Sequence, residues 1–512
     1  MYGPLRFTAV AVLATYLTFA VATDHAAASR AESAGVVFAP PASGLSRTLS
    51  RSSATPATIA PAPLLLDWTP CDAAAASVLC TRLDVPLDYA HPAEASITIT
   101  VARRASRVSA LRIGSLLVNP GGPGASAVDL VRGLPLPAAI TDRFDIVGVE
   151  PRGLERATPV RCAASALKSL ALGTTPGASA AAAYARSCGR LSGRLLPFVN
   201  SEAAARDVET VRAALGESTI SLLTYSYGSR IATEYRRLYP SRLRAMVVDA
   251  PVDPAQPLLS GHIEALDTAL GAFLRDCDAA GPAPTPSAAD GPGCVLAQRG
   301  AARSLERAEA RFANGPVASA GRSNATIDRA RFETTLVTLL ANGNFRSLAQ
   351  VIEDTSDGSS NWLTSAIAVL GVDPGSFRPP GDGTNGAFEA YLCRDPHQPD
   401  LAVPSSRHFG AYAAQRFALL RCRAWPVPPL PLRRPTQPNQ VVGYGPALVV
   451  ATTYDVRSPL RWAQSVAAQL DAPLLRFAAA GHTIVGQGNA CVDRQITAFL
   501  LRPSPATTVE QC

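Results

Sequence analysis

The sequence predicts an α/β fold: a mostly parallel, doubly wound sheet with a large helical cap inserted between two of its strands. Short strand-like runs alternate with amphipathic helical stretches over residues 66–253, as in sheets covered by helices on both faces. Residues 254–444 are helical and proline-rich, and a strand pattern resumes at 447–452. A small-residue turn at Ser226 joins a strand-like run to a helical one.

Residues 1–28 have the pattern of a secretory signal peptide. One cation in Met1–Arg6 precedes an apolar run, Phe7–Ala22, that ends in small residues. An uncleaved membrane anchor is the alternative, but a span needs about 20 apolar residues, and this run is shorter and broken by threonines. We therefore predict a secreted protein, extracellular or associated with the cell wall, without a stable membrane anchor. Residues 29–65, rich in Ala, Ser, Thr and Pro, are interpreted as a flexible leader.

The predicted α/β core consists of residues 66–253 and 445–512, and residues 254–444 form the predicted cap. Strand-like runs in its first part lie at Ser96–Val101, Gly114–Val118, Phe144–Val149, Thr219–Leu223 and Leu243–Asp249. An insert that is entered after one strand and left before the next most simply covers the carboxyl edge of the sheet. Ligands bind at that edge in folds of this class.

The ten cysteines fall into five couples that are local in sequence. The couples are Cys71 and Cys80, Cys162 and Cys188, Cys277 and Cys294, Cys393 and Cys422, and Cys491 and Cys512. An even count in an exported chain favours disulfides, and local pairing is the simplest choice, although the sequence leaves the connectivity open. A metal site is disfavoured because the chain has no Cys-x2-Cys pair and no clustered histidines. No metal and no cofactor are expected.

The charge pattern disfavours a nucleic-acid partner. The net charge of +7 is spread over single arginines, without a basic block or interleaved aromatic residues. We interpret these arginines as part of an ordinary solvated surface. The oligomeric state cannot be read from the sequence.

Ser226 is the candidate nucleophile, because a strand-like run, a sharp small-residue turn and a helix form the elbow that exposes a reactive serine. A serine hydroxyl needs an imidazole to take its proton and a carboxylate to orient that imidazole. His482, in a small-residue loop after a strand-like run, is the candidate base. Asp455, which follows the run 447–452, is the candidate acid. The chain order Ser, Asp, His is that of α/β-hydrolase triads.

A glycine-rich turn, Asn119–Gly124, follows the predicted strand at Gly114–Val118. The tetrahedral intermediate of acyl transfer needs hydrogen-bond donors for its oxyanion. The backbone N–H groups of Tyr227, just after the candidate nucleophile, and of Gly122 in this turn are the expected donors. Glu150 and Arg152 are interpreted as structural residues that pair near this turn.

Six motifs together resemble the secreted tripeptidyl aminopeptidases of actinobacteria, which belong to the proline-iminopeptidase-like serine peptidases with the α/β-hydrolase fold. They are Asn119–Gly124, Glu150–Gly153 with Thr158–Cys162, Ser226–Gly228, Ala390–Asp395, Asp455 with Ser458 and Pro459, and Gly481 with His482. The resemblance implies Ser226 as nucleophile, Asp455 as acid and His482 as base. It also implies a cap that reads the free amino terminus of a peptide substrate.

The sequence departs from this family near the candidate nucleophile and the candidate base. Thr224 and Thr483 stand where similar proteins usually have glycine, so the elbow and the histidine loop depart from the family pattern. An α-ammonium group requires a carboxylate partner, and Glu389 and Asp395 in the predicted cap are the candidates.

Three functions fit these residues. The leading hypothesis is an exported serine aminopeptidase that releases short, tripeptide-like units from peptide amino termini. A secreted carboxylesterase with the same triad is the alternative, because the fold and the triad serve both acyl chemistries. A non-catalytic binding protein on a hydrolase scaffold is the third hypothesis, prompted by Thr224 and Thr483.

Overall fold

The computed structural model describes most of the chain downstream of the predicted leader. The described residues are 66–72, 77–163, 178–256, 258–282, 293–321, 325–370, 384–396, 405–412, 421–431, 445–505 and 507–512. The predicted signal peptide and leader, residues 1–65, lie outside these ranges.

A nine-stranded sheet forms the centre of the described chain. Its strands are β1 Thr69–Pro70, β2 Leu79–Pro86, β3 Ser96–Arg104, β4 Gly114–Asn119, β5 Phe144–Val149, β6 Ile220–Tyr225, β7 Leu243–Asp249, β10 Ala447–Tyr454 and β11 Leu474–Ala480. Their spatial order is β1-β2-β3-β5-β4-β6-β7-β10-β11. The pairs from β1 to β5 are antiparallel, and all pairs from β5 to β11 are parallel. The predicted mostly parallel sheet is therefore confirmed.

Helices follow or separate most of these strands. They are α1 Ala127–Gly133, α2 Ala138–Thr141, α3 Ala178–Ser192, α4 Ser201–Ala214, α5 Gly228–Leu238, α6 Leu258–Ala280, α7 Ala301–Ala310, α8 Arg329–Ala341, α9 Phe345–Ser356, α10 Asn361–Leu370, α11 Thr384–Arg394, α12 Leu460–Leu470 and α13 Ala490–Leu501. A small hairpin, β8 Val317–Ala318 with β9 Thr326–Ile327, lies between α7 and α8.

Side chains of the parallel strands alternate between two buried apolar clusters. In β4, Leu117 packs into one cluster with residues of α3, α4, α5 and α12. Leu116 and Val118 pack into the other cluster with residues of α1, α2 and α13. Successive residues of a strand point to opposite faces, so helices cover the sheet on both sides. The predicted doubly wound architecture is thereby confirmed.

Between β7 and β10 the described residues form helices α6 to α11 and the small hairpin. Most of these helices share a third apolar cluster, which includes Leu266, Phe332 and Leu348. Helix α11 differs, because its Ala390 and Tyr391 pack into the cluster that contains Leu117, together with Tyr227. The exact cap boundaries, 254 and 444, stay predictions.

Ten cysteines form five disulfides, and no cysteine is free. The bonds are Cys71–Cys80, Cys162–Cys188, Cys277–Cys294, Cys393–Cys422 and Cys491–Cys512, which is the local pairing. Closing a loop of this size stabilises a fold by about 3 kcal/mol, mainly by restricting the unfolded chain. Such frameworks are typical of proteins that fold in oxidising compartments. Within the described ranges, no helix is both long and apolar enough to span a membrane.

Candidate active site

Ser226 occupies a sharp corner between β6 and α5. Its φ of 51° lies in the left-handed region, which non-glycine residues use rarely and mainly at functional positions. The Ser226 N–H donates to the Asp249 carbonyl oxygen at 2.9 Å. The Ser226 carbonyl accepts from the Ser229 N–H at 3.0 Å and from the Ser229 hydroxyl at 2.7 Å. This is the geometry of a nucleophile elbow.

Close backbone approach explains two glycines around this corner. A β-carbon on Gly228 would lie 2.5 Å from Asn119 Oδ1. A β-carbon on Gly121 would overlap the Tyr225 carbonyl oxygen and lie 3.0 Å from the Tyr227 nitrogen. The glycine turn after β4 therefore packs directly against the elbow, as only residues without a β-carbon allow.

The backbone N–H groups at this junction differ in whether they have an acceptor. The Gly121 N–H donates to Asn119 Oδ1 at 2.9 Å, which shapes the turn. Among the described residues, no protein acceptor takes the N–H of Gly122 or that of Tyr227. Uncommitted N–H groups beside the serine are what a developing oxyanion requires, and their assignment as the oxyanion donors remains our proposal.

We expect Gly121→Ala to lower kcat by about a hundredfold, because moving the turn displaces the proposed oxyanion donor at Gly122. The new β-carbon forces the turn away from Tyr225 and Tyr227. Gly300→Ala is the matched control, since Gly300 has the same φ of 84° but a β-carbon added there would meet nothing within 4 Å. Steady-state kinetics of both variants check this, and a Gly121→Ala enzyme with wild-type kcat would contradict it.

Asp455 and His482 are in direct contact. They follow the neighbouring parallel strands β10 and β11, whose carboxyl ends lie at the same sheet edge as that of β6. Nδ1 of His482 lies 2.9 Å from both Oδ1 and Oδ2 of Asp455. Asp455 is 2% exposed, and its Oδ1 also accepts the N–H groups of Arg457 and Ser458 at 2.7 and 2.8 Å. A proton held on Nδ1 leaves Nε2 as the acceptor that a general base needs.

The structure does not join Ser226 to this pair by a hydrogen bond. Among the described residues, the Ser226 hydroxyl has no bond to the His482 ring. Catalytic hydrogen bonds in ligand-free enzymes are often long and tighten when substrate binds. The three residues therefore lie at one sheet edge. Of the two hydrogen bonds that join a triad, only that between Asp455 and His482 is formed in the described part of the chain.

The loop that follows the histidine accounts for one departure from the family pattern. Thr483 has a φ of 67°, a conformation that glycine adopts freely and a β-branched residue adopts under strain. The Gln487 side chain donates to the Thr483 carbonyl at 3.1 Å, and the Thr452 hydroxyl donates to the Gly481 carbonyl at 2.6 Å. These bonds hold the threonine in a conformation that usually requires glycine.

The other departure, Thr224, is buried in β6 and paired with Asn119 of β4. Its hydroxyl has no hydrogen-bond partner within the described ranges. A small cavity of about 20 Å³, lined in part by Thr224, Asn119 and Ile231, lies beside it. The threonine is thus accommodated in β6, two residues before Ser226.

Glu150 and Arg152 are structural, but they pair with other residues and not with each other. Glu150 Oε2 accepts the N–H groups of Ala127 and Val128 at 2.9 and 3.3 Å, which anchors the start of α1 just after the glycine turn. Arg152 is fully buried and binds Asp207 of α4 through two nitrogens, at 2.6 and 2.8 Å. These bonds fix the turn and α4 beside the elbow.

Helix α11 and the residue that follows it carry the two candidate carboxylates. Glu389 is 7% exposed within α11, and Asp395 follows the helix at 2% exposure. Asp395 Oδ1 accepts the Ser201 N–H at 2.9 Å, and its Oδ2 accepts the Tyr227 hydroxyl. Asp395 therefore holds the side chain of the residue that follows the candidate nucleophile.

Sequence reasoning missed Asp249, the last residue of β7. Its Oδ2 accepts the N–H groups of Ile484 and Val485 at 2.7 and 2.8 Å. Burial raises the pKa of Asp249 to about 6, the two N–H groups and nearby His482 oppose this rise, and Asp455 adds to it. A lone acid at the end of the apolar run Ala245–Val248 is the signal that could have drawn attention to it.

Comparisons with known proteins agree with this architecture. A family model described as alpha/beta hydrolase fold matches residues 114–276, and a model described as TAP-like protein matches residues 406–512. Serine protease Hip1 of Mycobacterium tuberculosis is 28% identical over 87% of this chain and 91% of that protein. Carboxylesterase B of the same species is 29% identical over 85% of this chain and 86% of that protein. Tripeptidyl aminopeptidase of Streptomyces lividans is 34% identical over 37% of this chain and 39% of that protein.

The fold and these relatives define the class: the chain is a serine hydrolase with the α/β-hydrolase fold. The match of residues 406–512 to the TAP-like model and the similarity to the Streptomyces tripeptidyl aminopeptidase confirm the resemblance to the tripeptidyl aminopeptidase family.

Proposed function

We propose that the enzyme is an aminopeptidase that removes short, tripeptide-like units from the free amino terminus of peptides. The observation that carries the proposal is the attachment of the acid-bearing helix α11 to the elbow. Asp395 accepts the Tyr227 hydroxyl, and the Tyr391 ring meets the Tyr227 ring edge-on at 6.3 Å between centroids. This attachment supports a role for α11 in presenting a carboxylate at a fixed distance from Ser226, as measuring off an amino-terminal unit requires.

The proposed reaction uses the residues at the sheet edge. Ser226 Oγ attacks the peptide carbonyl carbon while its proton passes to Nε2 of His482, and Asp455 stabilises the imidazolium through Nδ1–H. The N–H groups of Gly122 and Tyr227 donate to the oxyanion. His482 returns the proton to the departing amine, and water, deprotonated by His482, then hydrolyses the acyl-enzyme and restores the Ser226 hydroxyl.

Substrate selection requires a partner for the α-ammonium, because a cation that leaves water needs a nearby anion. Both oxygens of Asp395 already accept hydrogen bonds from Ser201 and Tyr227. We assign ammonium recognition to Glu389, a buried carboxylate of α11, and a supporting role to Asp395, which follows this helix.

The decisive comparison is arylamine release from a tripeptide arylamide with a free or an acetylated amino terminus. We expect kcat/KM for the free form to exceed that for the acetylated form about a hundredfold, because losing one partner of a buried charge pair costs about 2–5 kcal/mol. Glu389→Gln should erase this preference by slowing the free substrate alone. Equal cleavage of the two forms by the wild type would contradict the proposal.

A carboxylesterase is the second candidate, because Carboxylesterase B aligns over most of its own length. The same triad would cleave an ester whose acyl group carries no ammonium. Hydrolysis of p-nitrophenyl acyl esters by an enzyme that leaves every arylamide intact would move the assignment to this class.

The signal-like pattern of residues 1–28 and the five disulfides support an exported enzyme. We place it outside the cytoplasmic membrane, either released or held at the cell wall. Residues 254–444 serve as the cap in this proposal.

A further inference from the structure

We propose that Asp249 is a positioning residue of this site, which ties the corner that carries Ser226 to the loop that carries His482. The inference rests on the proposed roles of Ser226 and His482.

Asp249 is bonded to both catalytic segments at once. Its backbone oxygen accepts the Ser226 N–H at 2.9 Å, and Tyr225 is its partner in the β6–β7 ladder. Its side-chain Oδ2 accepts the N–H groups of Ile484 and Val485, two and three residues after His482. The Tyr225 hydroxyl reinforces the same loop by donating to the Val485 carbonyl at 3.3 Å. One residue thus sets the spacing between nucleophile and base.

The hydrogen bonds from Ile484 and Val485 to the Asp249 side chain form a clamp between the two segments. This clamp alone does not explain why an ionisable side chain is buried here. Asp249 is fully buried, and its Oδ1 has no hydrogen-bond partner in the described part of the chain. A buried carboxylate with an unsatisfied oxygen destabilises a fold, whereas the carbonyl oxygen of an asparagine could accept the same two N–H groups. Ionisable groups kept in such settings are typical of functional sites.

The negative charge has a chemical use at this position. The titratable groups that interact with Asp249 are His482, Asp455 and the buried phenol of Tyr225. When His482 takes the proton of Ser226, an ionised Asp249 stabilises the imidazolium from a second direction, alongside Asp455. Burial raises the pKa of Asp249 to about 6, so this charge is present at neutral pH and is lost as the pH falls through 6.

Asp249→Asn separates the charge from the clamp. A carboxyl whose pKa is raised by folding favours the protonated form, so its ionisation weakens the wild-type fold above pH 6, and this weakening vanishes as the pH falls towards 3.8. The Asn variant should therefore keep or raise its Tm at pH 8. We expect its kcat to fall about tenfold with KM little changed. The decrease of activity with falling pH should also lose the contribution that protonation of Asp249 makes near pH 6.

Asp249→Ala also removes the clamp, and we expect its kcat to fall about a hundredfold, as for a misplaced catalytic group, together with a lower Tm. Glu333→Gln is the matched control. Glu333 is another fully buried carboxylate with a pKa raised by burial, and it accepts a backbone N–H, that of Tyr412, at 2.7 Å. It lies in α8 and bonds to Arg329 and Tyr412, not to the segments that carry Ser226 and His482, so its loss should change Tm and leave kcat within about twofold.

The readout is the rate of covalent labelling by a fluorophosphonate, measured from pH 5 to 8 beside the hydrolysis of any substrate that the wild type accepts. Slower labelling of Asp249→Asn at an unchanged or raised Tm supports the inference. Wild-type labelling rates and pH dependence in Asp249→Asn overturn it, and so does an Asn variant that fails to fold, because the charge would then be structural. A wild-type protein that is not labelled overturns the proposed function itself.

Discussion

Replacing Ser226 by alanine is expected to lower kcat by roughly 10⁴- to 10⁶-fold, as removal of a nucleophile does in other serine hydrolases. Alanine keeps the β-carbon, and the bonds of the Ser226 N–H and carbonyl to Asp249 and Ser229 involve no atom of the lost hydroxyl. The variant should therefore fold normally. Hydrolysis rates and thermal unfolding, measured together, test both statements.

Ser221→Ala is the control for this substitution. Ser221 is a buried serine of the same strand, β6, whose hydroxyl accepts from Arg244 Nη1 at 3.3 Å. Its loss should leave turnover within a few-fold of the wild type. More than one percent of wild-type activity in a properly folded Ser226→Ala enzyme would show that another group is the nucleophile.

Asp455→Asn is expected to lower kcat by about 10⁴-fold, the effect of forcing the wrong histidine tautomer. Asp455 Oδ1 accepts the N–H groups of Arg457 and Ser458, so the asparagine must place its oxygen there to keep the turn. Its NH2 group then faces Nδ1 of His482. Nδ1 becomes an acceptor, the ring proton moves to Nε2, and the imidazole can no longer take the proton of Ser226.

Asp145→Asn distinguishes this effect from a general loss of stability. Asp145 is also buried, but it binds Arg103 and Arg112 at 2.8 and 2.9 Å in a structural ion pair. Its replacement should lower Tm and change kcat little. Turnover in Asp455→Asn above one percent of wild type would remove Asp455 from the proposed triad.

Local patterns predicted the core of the fold and the candidate triad. The buried parallel strands read as continuous apolar runs, for example Leu116–Val118, because both of their faces are covered by helices. Strand β2, Leu79–Pro86, was not predicted, because Arg82 and Asp84 alternate with its buried residues and leave no continuous apolar run. Those residues point to solvent from an antiparallel region near the sheet edge.

Contacts across large sequence separations could not be predicted. Asp249 reaches Ile484 across 235 positions, and Tyr227 reaches Asp395 across 168. Neither pair leaves a local periodicity, since each depends on which strand ends become neighbours after folding. The same holds for Arg152, whose partner Asp207 lies on a helix that the motif around Gly153 does not indicate.

The proposed triad is tested most directly by identifying the residue that a fluorophosphonate modifies in the folded protein, by intact-mass measurement and peptide mapping. We expect one adduct per chain, on Ser226, absent from Ser226→Ala and formed much more slowly in Asp455→Asn. An adduct on a different serine, or none at all, would contradict it, and the absence of any adduct would favour a non-catalytic binding protein on a hydrolase scaffold.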